Sequence, residues 1–137
     1  FPGMKVLEFA FNAGEESSYL PYLYQKNCVV YTGTHDNDTL CGWYKVLDPE
    51  DLKLSQKYMN NANTPKRQIH WDFIRLALAS VADLCIIPLQ DYLGLGSEAR
   101  INTPSTLGNN WRWRMTQGCL TKELADQIRE LTTLYGR

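Results

Sequence analysis

The chain has 137 residues, of which 44% are hydrophobic and 21% are charged, a size and composition typical of one folded domain rather than of a disordered chain. Its 14 basic and 15 acidic residues give a formal net charge of −1, so no broad field attracts nucleic acid or an anionic membrane. No apolar run approaches the roughly 18 residues of a membrane-spanning helix, and no signal segment is recognisable. We expect a single domain over residues 1–137, with neither nucleic acid nor a membrane as partner.

The cysteines indicate a reducing environment. Cys28, Cys41, Cys85 and Cys119 are widely spaced, and none belongs to a Cys-x-x-Cys pair. Cys28 and Cys85 each lie beside an apolar run, which favours small buried thiols over metal ligands or disulfides. We therefore expect a cytoplasmic protein.

Three strands are predicted from apolar runs. They cover Met4–Phe11, Cys28–Thr32 and Leu84–Leu89. The second and third runs are nearly continuous, which is typical of strands buried on both faces of a parallel sheet.

Three helices are predicted between and after these strands. Asp48 caps a helix that ends near Met59, and a well-buried helix covers residues 73–82. Thr121 caps the last helix. Its apolar stripe consists of Leu124, Ile128, Leu131 and Leu134.

The alternation of strand and helix indicates an α/β fold with a parallel sheet. Three strands are too few to cover themselves well, and a complete eightfold barrel usually needs about 250 residues. The pattern alone therefore leaves two architectures open, a small three-layer domain and the last part of a larger barrel.

Polar residues crowd the end of the second predicted strand, over residues 32–39, where α/β folds form their sites. Gly33 lets the backbone turn or lets a ligand come close. Three readings of this segment stay open. They are a capped turn in which Asp36, Asn37 and Asp38 bond local amides, a metal site formed by His35, Asp36 and Asp38, and a carboxylate that acts on a polar ligand.

Three other features carry weaker signals. Gly94 and Gly96 resemble the start of a dinucleotide loop, but its third glycine is absent, so nucleotide binding is not predicted. The segment Asn109–Arg114 mixes amide, aromatic and basic side chains, which fits a strand with tryptophans on one face, a sugar platform, or less well a nucleic-acid contact. Glu8 is a candidate general acid if buried, although pairing with a lysine or arginine is the favoured reading.

Five segments closely resemble the 4-α-glucanotransferases, also called amylomaltases or disproportionating enzymes. They are residues 1–11, 31–39, 74–83, 93–104 and 110–114. Together they cover nearly the whole chain in the family's order. The resemblance implies the C-terminal part, about strands 6 to 8 with their helices, of a (β/α)8 barrel of the α-amylase type.

The resemblance also implies an activity and a set of site residues. The parent enzyme is expected to transfer α-1,4-linked glucosyl segments between maltooligosaccharides or other α-1,4-glucans, by a retaining double displacement. Asp36 matches the family's transition-state stabiliser, and His35 matches the histidine that holds hydroxyls of the reacting sugar. Phe9 matches an aromatic residue near the glucan-binding surface, and Asn102 falls in a mobile loop over the acceptor side. No metal and no other cofactor is implied.

The family's nucleophile and its acid/base lie upstream of the motif with which this sequence starts. We therefore expect the isolated chain to be inactive, and we expect an exposed barrel edge to cause self-association. Two alternatives stay open. They are a glycoside hydrolase of the same barrel class and a non-catalytic sugar-binding module.

Overall fold

A parallel sheet of three strands organises the chain, and the computed structural model describes all residues from Phe1 to Arg137. The strands lie side by side in chain order as β1 (Gly3–Val6), β2 (Cys28–Tyr31) and β3 (Leu84–Ile86). Val29 of β2 pairs with Met4 of β1 and with Leu84 of β3. Because all three strands run in the same direction, their carboxyl ends meet at one edge of the sheet.

Five α-helices follow or connect the strands. They are α1 (Leu40–Lys45), α2 (Pro49–Met59), α3 (Ile69–Ala79), α4 (Leu89–Tyr92) and α5 (Lys122–Leu134). Short 3-10 helices occupy Leu7–Phe9, Pro21–Leu23, Lys66–Gln68 and Ser97–Ala99. None of the helices combines the length and the apolar character needed to cross a lipid bilayer.

The predicted caps place two helices correctly. The side chain of Asp48 accepts a hydrogen bond of 3.0 Å from the Glu50 N–H, and α2 ends at Met59. The hydroxyl oxygen of Thr121 accepts one of 3.1 Å from the Leu124 N–H at the start of α5. In both helices, the side-chain oxygen satisfies an amide that has no partner inside the helix.

Several predicted boundaries are wrong. Strand β1 ends at Val6 rather than Phe11, because the chain turns into the 3-10 helix Leu7–Phe9. Strand β3 ends at Ile86, shortly before Pro88, which has no N–H to donate to a neighbouring strand. Helix α3 begins at Ile69 and ends at Ala79, so it lies about three residues earlier than predicted.

The segment Asn110–Arg114 forms no strand, so that reading of its alternating residues is wrong. The two short helices α1 and α4 were not predicted.

One face of the sheet is covered and the other is open. Val30 of β2 and Ala77 of α3 are completely buried in one apolar cluster on the covered face. On the opposite face, Met4 is 57% exposed, Leu84 is 55% exposed and Ile86 is 40% exposed. The expectation that β2 and β3 are buried on both faces is therefore wrong for this chain. The open sheet face consists of Met4, Val29, Tyr31, Leu84 and Ile86, whereas Val6, which pairs with Tyr31 on the same side of the sheet, is buried.

An aromatic cluster fills the space between the helices. The ring of Phe73, in α3, is completely buried and lies 5.3 Å from the Trp43 ring and 5.8 Å from the rings of Phe11 and Tyr44. These three rings meet the Phe73 ring nearly edge to face, which is a favourable geometry for aromatic pairs. This packing fixes α1, which carries Trp43 and Tyr44, against α3.

The four cysteines are free thiols. Cys28 is buried, as expected, whereas Cys85 is only partly buried. Burial nevertheless raises the pKa of Cys85 to about 11, so its thiol stays protonated and unreactive at neutral pH.

Candidate functional site

The site loop, residues 32–39, connects the carboxyl end of β2 with α1. Within it, the Asn37 side-chain oxygen accepts hydrogen bonds from the Thr34 N–H at 2.9 Å and the Thr34 hydroxyl at 2.8 Å. Asp38 accepts one of 2.8 Å from the Thr39 N–H, and the Thr39 hydroxyl oxygen caps α1. The reading as a locally bonded turn is therefore correct for Asn37 and Asp38. It does not describe the carboxylate of Asp36.

Asp36 is instead held by a residue 66 positions away. The Asn102 side chain donates a 2.7 Å hydrogen bond to Asp36 Oδ1, and the Nε2 atom of His35 lies 3.4 Å from the same oxygen. The side chains of His35 and Asp36 are 53% and 50% exposed. Asp36 Oδ2 accepts no hydrogen bond within the chain, so it is free to accept one from a ligand.

A second segment, which we call the support loop (residues 93–102), holds the site loop from one side. Arg100 donates to the backbone oxygen of Asp36 at 2.7 Å and to that of Asn102 at 2.9 Å. The Asn102 N–H donates to the His35 oxygen at 3.1 Å, and the Ser97 hydroxyl donates to Asp38 at 2.6 Å. These bonds fix the distance between the two loops, and with it the contact between Asn102 and Asp36.

Trp111 packs against the imidazole of His35. The two ring centroids are 5.1 Å apart, at an interplanar angle of 38°. Trp111 has a φ of 62°, which is a strained conformation for a bulky residue, and its N–H donates a 2.7 Å hydrogen bond to Ile101. Its side chain is 57% exposed, so one surface of the indole stays available beside the histidine.

A cleft with a volume of about 510 Å³ opens next to these residues. His35 and Asp36 line one side of it, and Tyr31 and Ile86 of the open sheet face line another. The cleft therefore combines polar groups at the strand ends with apolar surface, as small-molecule sites commonly do.

Phe9 lies in a different groove, with a volume of about 570 Å³. Its ring is 51% exposed and meets the Tyr19 ring edge to face at 5.5 Å. Trp43, Asn12 and Asp51 also line this groove, which therefore presents aromatic and polar groups together. The structure thus brings His35, Asp36 and Asn102 into one hydrogen-bonded group and places Phe9 outside it.

Glu8 is buried without an ionic partner. It is 7% exposed, its Oε1 atom has no hydrogen-bond partner, and no lysine or arginine forms an ion pair with it, so the favoured reading from sequence is wrong. Burial, with the charges of Asp91 and Asp38, raises its pKa to about 9, and Arg100 opposes this only in part. The carboxyl group is consequently neutral at pH 7. A Cβ atom at Gly33 would lie 2.7 Å from Glu8 Oε1, so close approach, rather than a turn, accounts for that glycine.

The metal reading of the site loop finds no support, since no three His, Cys, Asp or Glu side chains are arranged to hold an ion.

Comparison with known families decides between the two architectures that the sequence pattern leaves open. The sequence model of the 4-alpha-glucanotransferase family matches residues 1–121. The chain belongs to this family. Among similar glucanotransferases, that of Clostridium butyricum is 48% identical over 100% of this chain and 28% of its own length. The chloroplastic/amyloplastic enzyme of Arabidopsis thaliana is 46% identical over 99% of this chain and 24% of its own length. The chain therefore spans about a quarter of the length of these glucanotransferases.

Solved structures agree with the assignment to the glucanotransferase family. An amylomaltase from Streptococcus agalactiae, solved with acarbose, superposes with a TM-score of 0.92 at 37% identity, covering 100% of this chain and 28% of that one. The amylomaltase of Corynebacterium glutamicum shares the fold alone, with a TM-score of 0.69 at 13% identity over 96% of this chain and 25% of that one. The expected fold class, part of a (β/α)8 barrel, is confirmed.

Two residues that shape this site were missed in the sequence. Arg100 stands in a segment that resembles the family, but nothing local in the sequence shows that its guanidinium reaches Asp36. Asp91 lies two residues after the end of the third predicted strand, at the same edge of the sheet as the site loop, and it is 2% exposed. The signal for Asp91 in the sequence was a carboxylate close to the end of a predicted strand.

Proposed function

We propose that this chain is the C-terminal part of a 4-α-glucanotransferase that transfers α-1,4-linked glucosyl segments between maltooligosaccharides or other α-1,4-glucans. The observation that carries the proposal is the Asp36 carboxylate. One of its oxygens is held by Asn102 at 2.7 Å, and the other is free beside a cleft of about 510 Å³. The acarbose complex of the Streptococcus agalactiae amylomaltase supports a carbohydrate as the ligand.

In this proposal, Asp36 stabilises the transition state. Cleavage of a glycosidic bond passes through an oxocarbenium-like state, in which the sugar ring flattens and gains positive charge. A carboxylate that accepts hydrogen bonds from the sugar hydroxyls binds this state more tightly than it binds the substrate, and that difference accelerates the reaction. Asn102 fixes the orientation of the carboxylate before substrate arrives.

His35, Phe9 and Asn102 bind or orient the glucan in this proposal. His35 donates to hydroxyls of the reacting sugar, and the Trp111 ring, 5.1 Å away, holds the imidazole in place. The exposed Phe9 ring offers a flat apolar surface to a sugar unit. Asn102 belongs to the support loop, which in this proposal covers the side of the cleft that binds the acceptor glucan. Its hydrogen bond to Asp36 keeps that side of the cleft close to the carboxylate.

We also propose a reducing compartment, the cytoplasm in a bacterial cell, because all four cysteines are free thiols. The Arabidopsis thaliana relative is named as chloroplastic/amyloplastic, so a plastid stroma is the corresponding place in a plant cell.

The test uses the full-length protein, extended upstream of Phe1, and an Asp36→Asn variant. We expect the wild-type protein to convert maltotriose into glucose and a ladder of longer maltooligosaccharides, followed by chromatography. The variant should lose about 10³-fold in rate, because the amide that replaces the carboxylate carries no negative charge. Asp83→Asn is the matched control, since Asp83 is exposed and its side chain makes no hydrogen bond.

Each contrary result has a distinct meaning. An unchanged ladder from Asp36→Asn refutes the role of Asp36. New reducing ends without longer products favour the hydrolase, and binding of maltotriose without turnover favours the sugar-binding module. The 137-residue chain alone should release no glucose from maltotriose, and release of glucose would contradict the proposal that the nucleophile and the acid/base lie upstream.

A further inference from the structure

One buried carboxylate joins the two ends of the site loop. Asp91 lies in α4, directly after β3, and is 2% exposed. The Thr32 hydroxyl, where the site loop begins, donates to Asp91 Oδ2 at 2.6 Å. The Leu40 N–H, immediately after the site loop, donates to Asp91 Oδ1 at 2.9 Å. The same side chain therefore fixes the backbone on both sides of His35 and Asp36.

The support loop depends on the same short helix. Gln90, the neighbour of Asp91, donates from its side chain to the Ala99 oxygen at 3.2 Å. The backbone oxygen of Gln90 accepts from the Leu95 N–H at 3.0 Å. Helix α4 is thus the common base of the site loop and of the loop that delivers Asn102 and Arg100.

Packing alone does not explain a carboxylate at this position. Burial of a charged group costs free energy that an apolar side chain of similar size would not cost. Burial, with the charge of Asp38 adding to it, raises the pKa of Asp91 to about 6, and the hydrogen bonds from Thr32 and Leu40 oppose that rise. Above that pH, the anion accepts two short charge-assisted bonds, which are directional. What these bonds determine is the path of the site loop.

We propose that Asp91 is a positioning residue for glucan transfer, which holds Thr32 and Leu40 so that His35 and Asp36 meet the reacting sugar in a fixed geometry. The kinetic part of this inference rests on the proposed function. The geometric part concerns the site loop alone and can be measured without substrate.

The geometric part is tested by nuclear magnetic resonance on the 137-residue chain carrying Leu84→Lys, because the open sheet face is expected to make the unmodified chain self-associate. Asp91→Ala should accelerate hydrogen exchange of the Leu40 amide at least tenfold and should shift the ring signals of His35. The chain has two histidines, and only His35 is exposed, so its signals are distinguishable from those of His70. Asp91→Asn should keep the Leu40 exchange rate and the His35 ring signals close to their wild-type values. The asparagine oxygen still accepts from the Leu40 N–H, and its NH2 group donates to the Thr32 hydroxyl oxygen. Asp83→Ala is the control.

The kinetic part is tested in the full-length protein with maltotriose. We expect Asp91→Ala to lower kcat about 100-fold and to change KM less than about threefold, because a displaced Asp36 mainly loses contacts made in the transition state. Asp91→Asn should restore kcat to within about tenfold of wild type. Because partial unfolding would also lower the apparent kcat at unchanged KM, kcat is expressed per folded protein, with the folded fraction measured by circular dichroism.

The outcomes separate this inference from the proposed function. If the wild-type protein transfers no glucan, the proposed function fails, and the Leu40 and His35 signals still decide whether Asp91 positions the site loop. A folded Asp91→Ala protein with wild-type exchange at Leu40, or with wild-type kcat, overturns the inference. Should Asp91→Ala fail to fold, Thr32→Val removes only the hydroxyl donor at constant shape. It should lower kcat about tenfold at unchanged KM, and an unchanged kcat overturns the inference.

Discussion

At the scale of single residues, burial gives Glu8 and Asp36 opposite chemistry although both follow strands of the same sheet. Asp36 is half exposed, so water and ligands reach its carboxylate. Glu8 is 7% exposed and lies close to the carboxylates of Asp91 and Asp38, so its neutral form is favoured. The protonated Glu8 side chain has nearly the same shape as glutamine. A glutamine should therefore fit this position without a charge to bury.

We predict that Glu8→Gln stabilises the chain at neutral and alkaline pH. The folded-state pKa of about 9 lies above the ordinary value of 4.5, so the folded chain binds this proton more tightly than the unfolded chain does. Wild-type stability therefore falls as pH rises from about 4.5 to about 9. The variant has no carboxyl group at this position and so does not lose this stability. Its free energy of unfolding should equal that of the wild type near pH 4 and exceed it by on the order of 2–4 kcal/mol at pH 8.

Urea denaturation at several pH values measures this difference. Glu130→Gln is the control, because Glu130 is exposed on α5 and makes no side-chain hydrogen bond. An equal stability difference at pH 4 and pH 8 would show that Glu8 has the same pKa in the folded and the unfolded chain, which would contradict the prediction.

Sequence reasoning predicted the three residues of the hydrogen-bonded group, His35, Asp36 and Asn102, and missed Arg100 and Asp91, which hold the site loop. His35 and Asp36 stand in a polar run after an apolar strand, so their position at a strand end followed from local pattern. The hydrogen bond between Asn102 and Asp36 joins residues 66 positions apart, and that between Asp91 and Thr32 joins residues 59 apart. No local pattern specifies such pairs, since they arise only when β2 and β3 align in parallel.

At the scale of elements, caps and apolar stripes predicted α2 and α5 correctly because those helices carry their own signals. Helix α1 spans only six residues, Leu40–Lys45, and includes Gly42, which has a low helix propensity. A Cβ atom at Gly42 would collide with the Ser97 hydroxyl and with Asp38, so the glycine lets α1 approach the support loop. Tertiary packing thus determines α1, and its own sequence gives little sign of a helix.

We predict that Arg137 stabilises the end of α3. Its guanidinium donates to the backbone oxygens of Leu78 at 2.8 Å, Ser80 at 2.8 Å and Ala82 at 2.9 Å. These carbonyls lie where α3 ends and so have no partner inside the helix, and a positive charge also suits this end of the helix dipole. Arg137→Ala should therefore lower the free energy of unfolding by about 1–2 kcal/mol.

Thermal and urea unfolding measure this loss, with Arg129→Ala as the control. Arg129 lies on α5, is exposed and makes no side-chain hydrogen bond. Equal stabilities of the two variants would mean that the three bonds of Arg137 contribute nothing beyond those of any surface arginine.

At the scale of the whole molecule, the sheet has strand edges and an apolar face that no other part of the chain covers. Both outer strands, β1 and β3, have one edge without a neighbouring strand, and the open sheet face carries Met4, Leu84 and Ile86 at 40% exposure or more. The chain superposes on 28% of an amylomaltase, so most of the length that could cover this face and these edges in that enzyme has no counterpart here. Without that cover, unpaired parallel edges and apolar surface favour association between copies.

We predict that the 137-residue chain self-associates at micromolar concentrations and that Leu84→Lys reduces this association. Leu84 lies on β3, an outer strand with one unpaired edge, and is 55% exposed. A lysine at this position therefore adds a charge to the surface expected to associate and does not disturb a buried position. Val46→Lys is the matched control, because Val46 is 76% exposed but lies at the end of α1, away from the sheet strands. Sedimentation velocity across a range of concentrations gives the mass of each variant. A monomeric wild-type chain would show that the open sheet face and edges do not drive association. An equal effect of the two lysines would assign it to net charge rather than to β3.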